Sequence, residues 1–163
     1  GKTIGIVGLG RIGRKLARYA EAFSMNVVYY DPYVKKNEYK RVFSLTNLQN
    51  VDILCISCYL TDETKGIISN GILDDFKENL IVINTSRGET VDEDYIYDLV
   101  TKDKIFYSCD VLCNEQDVEK LKKSKLFNLK RDNIVITPHV AGATIESQTK
   151  ALRGILELCT KSR

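Results

Sequence analysis

The chain has 163 residues, 44% of them hydrophobic, which suits one domain with a buried core and is short for two. Its 24 Lys and Arg nearly balance 22 Asp and Glu, leaving a net charge of +2 with no concentrated basic face of the kind nucleic acid or an anionic membrane requires. No apolar run approaches the length of a membrane span, and the N-terminus does not read as a signal peptide. Five cysteines, an odd number, lie mostly in apolar segments, which fits a reducing compartment and predicts a cytoplasmic location.

The first predicted element is a strand over residues 3–8, the apolar run Thr3-Ile4-Gly5-Ile6-Val7. It feeds directly into Gly8-Leu9-Gly10-Arg11-Ile12-Gly13, and a helix follows over 11–24 with Ile12, Leu16, Tyr19, Ala20 and Phe23 on one face. A second strand, 26–31, ends at Asp31, eighteen residues after Gly13. This order has a physical logic. Gly8 permits the tight turn off the strand, Gly10 lets a pyrophosphate approach the backbone, and Gly13 brings the helix close to the strand. The N–H groups and positive dipole end of the helix hold the pyrophosphate, while the carboxylate of Asp31 accepts from a ribose diol. Asp31 also favours NAD over NADP, because its charge repels a 2′-phosphate and no arginine follows it.

Beyond this corner, a weaker strand is predicted near 40–43, a helix over 45–50, and a buried strand over 51–58. Cys55 and Cys58 form a C-x-x-C within that strand, where residues three apart point to opposite faces, so the two sulfurs should not converge on a metal; no metal site is predicted. A helix over 70–76, a strand over 80–85, a helix over 92–101 capped by Asp92, and a strand over 105–111 follow. The Lys-rich stretch 120–125 reads as a solvated face, and the chain closes with a strand over 134–138 and a helix over 144–160 capped by Thr144. Strands and helices alternate, and the strands are rich in Ile and Val without clean alternation. The prediction is an α/β fold, a doubly wound parallel sheet of the Rossmann type with helices on both faces, residues 1–163 forming one dinucleotide-binding domain.

In such a sheet, function sits at the carboxyl ends of the strands. Those tips carry Asp31, then Cys58-Tyr59-Leu60-Thr61, Asn84-Thr85-Ser86-Arg87-Gly88, Asp110 with Glu115, and Thr137-Pro138-His139. An arginine, an acid and the single histidine thus share a rim with the dinucleotide. Hydride transfer to a 2-oxo acid needs this trio: a guanidinium to hold the carboxylate by two parallel hydrogen bonds, and a proton donor titrating near neutrality at the carbonyl oxygen. A neighbouring carboxylate orients the imidazole and favours its protonated form. Asp110 is placed to accept from the nicotinamide carboxamide.

The segments Gly1 to Gly13, Tyr30-Asp31-Pro32-Tyr33, Asn84 to Gly88, Asp110-Val111 with Glu115, and Thr137 to Thr144 together resemble the cofactor domain of the D-isomer-specific 2-hydroxyacid dehydrogenases. That family includes phosphoglycerate, glycerate/hydroxypyruvate and D-lactate dehydrogenases. The resemblance implies that Arg87 orients substrate, that Glu115 pairs with the histidine and that His139 is the general acid/base. It also implies cofactor contacts at Gly8, Gly10, Arg11, Ile12, Gly13, Asp31, Thr85 with Ser86, Asp110, and Ala141 with Gly142, and one at Cys58 made through the loop backbone. NAD as cofactor, a small 2-hydroxy or 2-oxo acid as substrate and a homodimer follow from the same likeness. Two positions depart from the family: Tyr59 stands where proline is usual, and Gln116 follows Glu115 in place of proline. The family's separate substrate domain is absent from this chain, which is therefore expected to bind cofactor but turn over slowly by itself. The alternative reading is an NAD-sensing interaction protein, because the same architecture resembles transcriptional corepressors of the C-terminal-binding type.

Overall fold

The computed structural model describes residues 1–34, 38–69 and 71–161, excepting the side chains of 156–161. Seven strands form one sheet: β1 (Thr3–Val7), β2 (Asn26–Tyr30), β3 (Lys40–Val42), β4 (Ile53–Ile56), β5 (Leu80–Asn84), β6 (Ile105–Cys109) and β7 (Ile134–Ile136). All are parallel, in the order β3-β2-β1-β4-β5-β6-β7. The helices are α1 (Arg11–Ala22), α2 (Glu93–Thr101), α3 (Val118–Lys123) and α4 (Ile145–Lys161). The order reverses at β1, where the chain leaves for β2 on one side and returns to β4 on the other. Loops after β1 and β4 diverge there and open a crevice. Register keeps the strand ends level across the sheet, with Ile56 beside Asn84, Asn84 beside Cys109, and Cys109 beside Ile136.

Two apolar clusters cover the two faces. Ile4, Ile6, Leu9, Ala17, Ala20, Tyr29 and Cys55 pack on the α1 side, and a larger cluster with Leu54, Ile56, Val82, Ile96, Val100 and Tyr107 packs under α2 on the other. Asp92 caps α2 by accepting from the Asp94 and Tyr95 amides. Thr144 accepts from the Ser147 amide at 3.1 Å, the cap expected for α4. The edge at the start of β4 is pinned by Asp52, whose carboxylate accepts from the Thr3 amide at 2.8 Å and from the Lys2 and Lys77 ammonium groups at 3.2 and 2.6 Å.

Several expectations need correction. The buried stripe of α1 is Gly13, Ala17 and Ala20, whereas Ile12, Tyr19 and Phe23 are 61%, 64% and 81% exposed. Small residues won the inner face because they let the helix sit close on β1. Helices do not cover both faces throughout: Ile81, Phe106 and Val135 are exposed on the α1 side of β5 to β7, since α1 reaches only the β2–β1–β4 half. The helix expected over 70–76 is absent from its described part, 71–76, which makes successive turns closed by bonds from Ile72 to Ser69, Asp74 to Gly71 and Phe76 to Leu73. Gly71 there has φ +87°, outside helical space. The segment 45–50 forms only a 3-10 turn, Leu45–Leu48, capped by Ser44. The strands expected over 51–58, 105–111 and 134–138 end earlier, at Ile56, Cys109 and Ile136, where the chain turns into the loops that carry polar groups. The Lys-rich segment falls on and after α3, which has no buried residue. Among the described residues no helix is long and apolar enough to cross a membrane.

Candidate functional site

The crevice at the reversal point is a cleft of about 910 Å³ lined by Gly8, Gly10, Arg11, Ile12, Asp31, Cys58, Thr85, Ser86 and Arg87, together with Pro32, Tyr33 and the loop 57–64. Its size lies within the range of roughly 300–1,000 Å³ usual for cofactor sites. Gly8, with φ +92°, turns the chain sharply out of β1, and a Cβ there would lie 2.7 Å from the Cys58 backbone. Gly13 packs against the Gly8 carbonyl so tightly that any Cβ would collide with it, whereas the space around Gly10 is open. No side chain caps the α1 N-terminus and no acid occupies its first turn, so its amides face the cleft unopposed. Asp31 Oδ2 accepts from the Leu9 amide at 2.8 Å, and Oδ1 from the Tyr33 and Val34 amides at 2.9 and 3.1 Å. This carboxylate is therefore locked to the glycine turn. This set fits a dinucleotide: an open glycine cradle, a free helix N-terminus and a fixed carboxylate on the next strand.

The Arg87 turn is built by a buried amide. Asn84, fully buried at the end of β5, donates to the Arg87 carbonyl at 3.0 Å and the Thr90 hydroxyl at 3.2 Å, and accepts from the Ser86 amide at 3.0 Å. Burial obliges an amide to satisfy these groups, and here they close the turn. Thr90 adds a bond to the same carbonyl at 2.7 Å. Arg87 itself is exposed, with one guanidinium nitrogen donating to the Ser86 carbonyl at 2.6 Å. Ser86 donates to the Cys58 carbonyl, bridging the β5 and β4 loops. That carbonyl is thereby engaged within the protein.

The third group is the imidazole. His139 Nδ1 lies 2.5 Å from Glu115 Oε1, leaving Nε2 on an imidazole that is 48% exposed. Glu115 is fixed in turn by the Leu112 amide, which donates to Oε2 at 3.1 Å. Both loops use left-handed backbone, Asn114 at φ +54° and His139 at φ +54°, a conformation a folded protein retains only when neighbours hold it. Asp110 supplies that hold for the His139 loop. Its Oδ1 accepts from the Thr137 hydroxyl at 2.5 Å and the Val140 amide at 3.0 Å, and its Oδ2 from the Ala141 amide at 2.9 Å. Burial raises the Asp110 pKa, but the bonds from Thr137, Ala141 and Val140 and the nearby His139 outweigh it and keep the carboxyl below its usual value.

Arg87 and His139 are joined through backbone. Gly88 sits directly on the Leu112 carbonyl carbon and the Cys113 nitrogen, leaving no space for a side chain. Glu93, one turn on, accepts from the Cys113 amide at 2.6 Å and the Ser124 hydroxyl at 3.2 Å. The Arg87 turn thus abuts the Glu115 loop, and Glu115 holds His139. A second cavity of about 620 Å³ is lined by Glu115, His139, Pro138, Thr137 and apolar residues around Ile134 and Ile136.

Of the residues singled out from sequence, Gly8, Gly10, Arg11, Ile12, Asp31, Cys58, Thr85, Ser86 and Arg87 line one cleft, and Gly13 packs beneath it. Asp110, Ala141 and Gly142 do not line it, nor do Glu115 and His139, which line the second cavity. Asp110 is only 5% exposed and anchors the histidine loop. The sequence reading placed Asn84 at its strand tip without seeing that it closes the Arg87 turn, and it overlooked Thr90 and Glu93; a lone polar residue ending an apolar strand was the available signal for that role of Asn84. Cys55 and Cys58 pack on opposite sides of the sheet, and burial pushes the Cys55 thiol up to about 12.

A parallel sheet reversing at β1, with a glycine turn and an acid at neighbouring tips, defines a dinucleotide-binding domain. The family model described as D-isomer specific 2-hydroxyacid dehydrogenase, NAD binding domain, matches residues 1–141, and the chain belongs to that family. It is 33% identical over 153 residues to a hydroxypyruvate reductase of Thermotoga maritima, covering 92% of this chain and 49% of that protein. It is 36% identical over 155 residues to a D-3-phosphoglycerate dehydrogenase of Archaeoglobus fulgidus, covering 91% of this chain and 28% of that protein. The solved structure of the D-lactate dehydrogenase from Aquifex aeolicus, complexed with NAD and lactic acid, superposes with a TM-score of 0.81 at 30% identity, covering 99% of this chain and 54% of that one. The chain spans half or less of the length of these two curated relatives.

Proposed function

We propose that the protein carrying this domain interconverts a D-2-hydroxy acid and its 2-oxo acid using NAD, with His139 as general acid/base, Glu115 as its partner and Arg87 orienting the substrate carboxylate. The observation that carries this reading is the 2.5 Å pair between His139 Nδ1 and Glu115, set on the carboxyl edge beside the Arg87 turn. The amides of the α1 N-terminus, Gly10 and Arg11 would hold the pyrophosphate, and Asp31 would take the ribose diol. When bound, the nicotinamide cofactor supplies or accepts the hydride. In reduction, His139 delivers the proton from Nε2 to the carbonyl oxygen, and Glu115 stabilises the imidazolium before that transfer. The Arg87 guanidinium turns from the Ser86 carbonyl to the substrate carboxylate, a bidentate charge-assisted contact that fixes which face of the carbonyl is presented. Reversal of the same proton path serves oxidation. Asp110 keeps the histidine loop in its left-handed form throughout. The same reading takes the protein as a cytoplasmic homodimer.

The test is an assay of the full-length protein against a panel of 2-oxo acids with NADH, repeated for His139→Ala. Loss of turnover with cofactor affinity retained supports the assignment. Turnover unchanged by the substitution removes His139 from proton transfer, and tight NAD binding without activity on any 2-oxo acid favours the interaction protein instead.

A further inference from the structure

One contact crosses the cleft and has no part in the chemistry above. Tyr33, in the turn after β2, donates from its hydroxyl to the Glu63 carboxylate, in the loop after β4. These loops flank the crevice on opposite sides of the β1 tip, and both residues line it. Each is anchored locally. The Tyr33 amide donates to Asp31 Oδ1 at 2.9 Å, and Glu63 lies in a turn closed by the Thr61 amide on the Thr64 hydroxyl at 2.8 Å and the Lys65 amide on the Thr61 carbonyl at 2.9 Å. Asp31 and Glu63 are therefore fixed at the two ends of one tyrosine.

Charge along the cleft is polarised. Arg11 and Arg87 line it at the glycine turn and the β5 tip, while Asp31, Asp62 and Glu63 line the side reached by β2 and the β4 loop. Among the described residues, Arg41 approaches that corner without lining the cleft: it donates to the Pro32 carbonyl at 3.0 Å from behind the turn and lies over the Phe43 ring at 5.2 Å. Glu63, through its hydrogen bond and its charge, and Asp31 through its charge, hold the Tyr33 phenol above its usual pKa, so both carboxylates act on one point.

Resting on the assignment of this cleft to the dinucleotide, we infer that Glu63, held across the cleft by Tyr33, is a second specificity-determining carboxylate that discriminates against a 2′-phosphorylated cofactor. Asp31 alone meets the ribose diol of NAD. A phosphate at the 2′ position adds close to two negative charges, and the Tyr33 clasp sets Glu63 facing the corner that must receive them. Neutral ribose hydroxyls are not repelled, so the penalty falls on one cofactor and spares the other. The interaction is solvent-exposed and so must weaken with salt.

The test is calorimetric titration of the chain with NAD and NADP, in low and high salt, for wild type, Glu63→Gln and Tyr33→Phe. Glu63→Gln is expected to tighten NADP by roughly five- to tenfold, the Coulomb effect of one removed charge on a dianion across a screened cleft, while NAD stays within about twofold. Tyr33→Phe, which frees the carboxylate without removing it, should shift NADP in the same direction by less. Both gaps should shrink in 1 M salt, where the screening length is about 3 Å. NADP affinity unchanged in Glu63→Gln, or both cofactors tightened equally, overturns the inference while leaving the cleft assignment standing. Failure of wild type to bind NAD at all would instead bring down the cleft assignment, and the inference with it.

Discussion

The β1–α1–β2 corner and the β5–β6–β7 edge both place functional groups at strand tips, the first mainly with backbone and the second with side chains. At the corner, Gly8, Gly10 and Gly13 act by what they lack, and helix amides do the binding; the one side chain needed is Asp31. At the edge, Asn84, Asp110 and Glu115 each satisfy two or three partners so that one arginine and one histidine stand in place. A site made of backbone tolerates changes that leave its shape alone. A site made of a polar network fails wherever one partner goes missing, because the others are left buried and unpaired.

The sharpest way to break this contrast is a pair of glycine substitutions. Gly13→Ala and Gly88→Ala each force a methyl into backbone, so each should destabilise the fold by more than about 3 kcal/mol in urea unfolding, beyond the usual cost of overpacking. Where enough folded protein remains, Gly13→Ala should lose NAD affinity. Gly88→Ala should retain it while separating His139 from Glu115, seen as an altered imidazole resonance. Equal effects of both on NAD binding would erase the distinction between the two regions.

Asp110→Asn comes next, at about 1.5–3 kcal/mol, the range for hydrogen bonds to a charged group. The sign with pH is fixed by the depressed carboxyl. Its stabilisation is complete above the ordinary Asp pKa near 3.9 and is lost as pH falls through the lower folded value. The wild-type and variant urea midpoints should therefore differ at neutral pH and converge in strong acid. A difference that grows in acid would contradict the network.

Gly10→Ala sharpens the comparison from the other side. Nothing lies near its added methyl, so stability should change by under about 0.5 kcal/mol while NAD affinity falls, because the methyl occupies the pyrophosphate's approach. The smallest effect belongs to Asp52→Asn at the sheet edge. The Lys77 and Thr3 bonds hold that carboxyl far below its usual pKa, so its stabilisation is present above the ordinary Asp value and fades only in strong acid. A modest drop in melting temperature at neutral pH, vanishing in acid, is the expected reading.

How much of this was legible in the sequence follows the same division. The corner lies within the first 31 residues, and its glycine spacing and terminal acid state the geometry outright. The edge joins segments that are 24 residues apart at Glu115 and His139 and more at Arg87; their types were readable, but not which partner each would take. Asp110 shows why. A carboxylate at a strand tip reads as a ligand for cofactor, yet three donors on the next loop reach it first. At the α1 face apolar size was mistaken for burial. Close helix packing selected Gly13, Ala17 and Ala20, and left Ile12, Tyr19 and Phe23 outside. The segment 70–76 reads as a helix in the sequence, yet Gly71 at φ +87° lies outside helical space, and turns prevail in the described part.

The central claim is that NAD lies along the cleft from the Asp31 corner to the Arg87 turn with its pyrophosphate on α1. Titration of the isotopically labelled chain with NAD, followed by amide chemical shifts, tests it most directly. Large, saturable shifts at the amides of Leu9 to Gly13, at Asp31 to Tyr33 and at Thr85 to Arg87, with the α3 amides unmoved, are the predicted result. Saturable binding that leaves the Leu9 to Gly13 amides unchanged would contradict it.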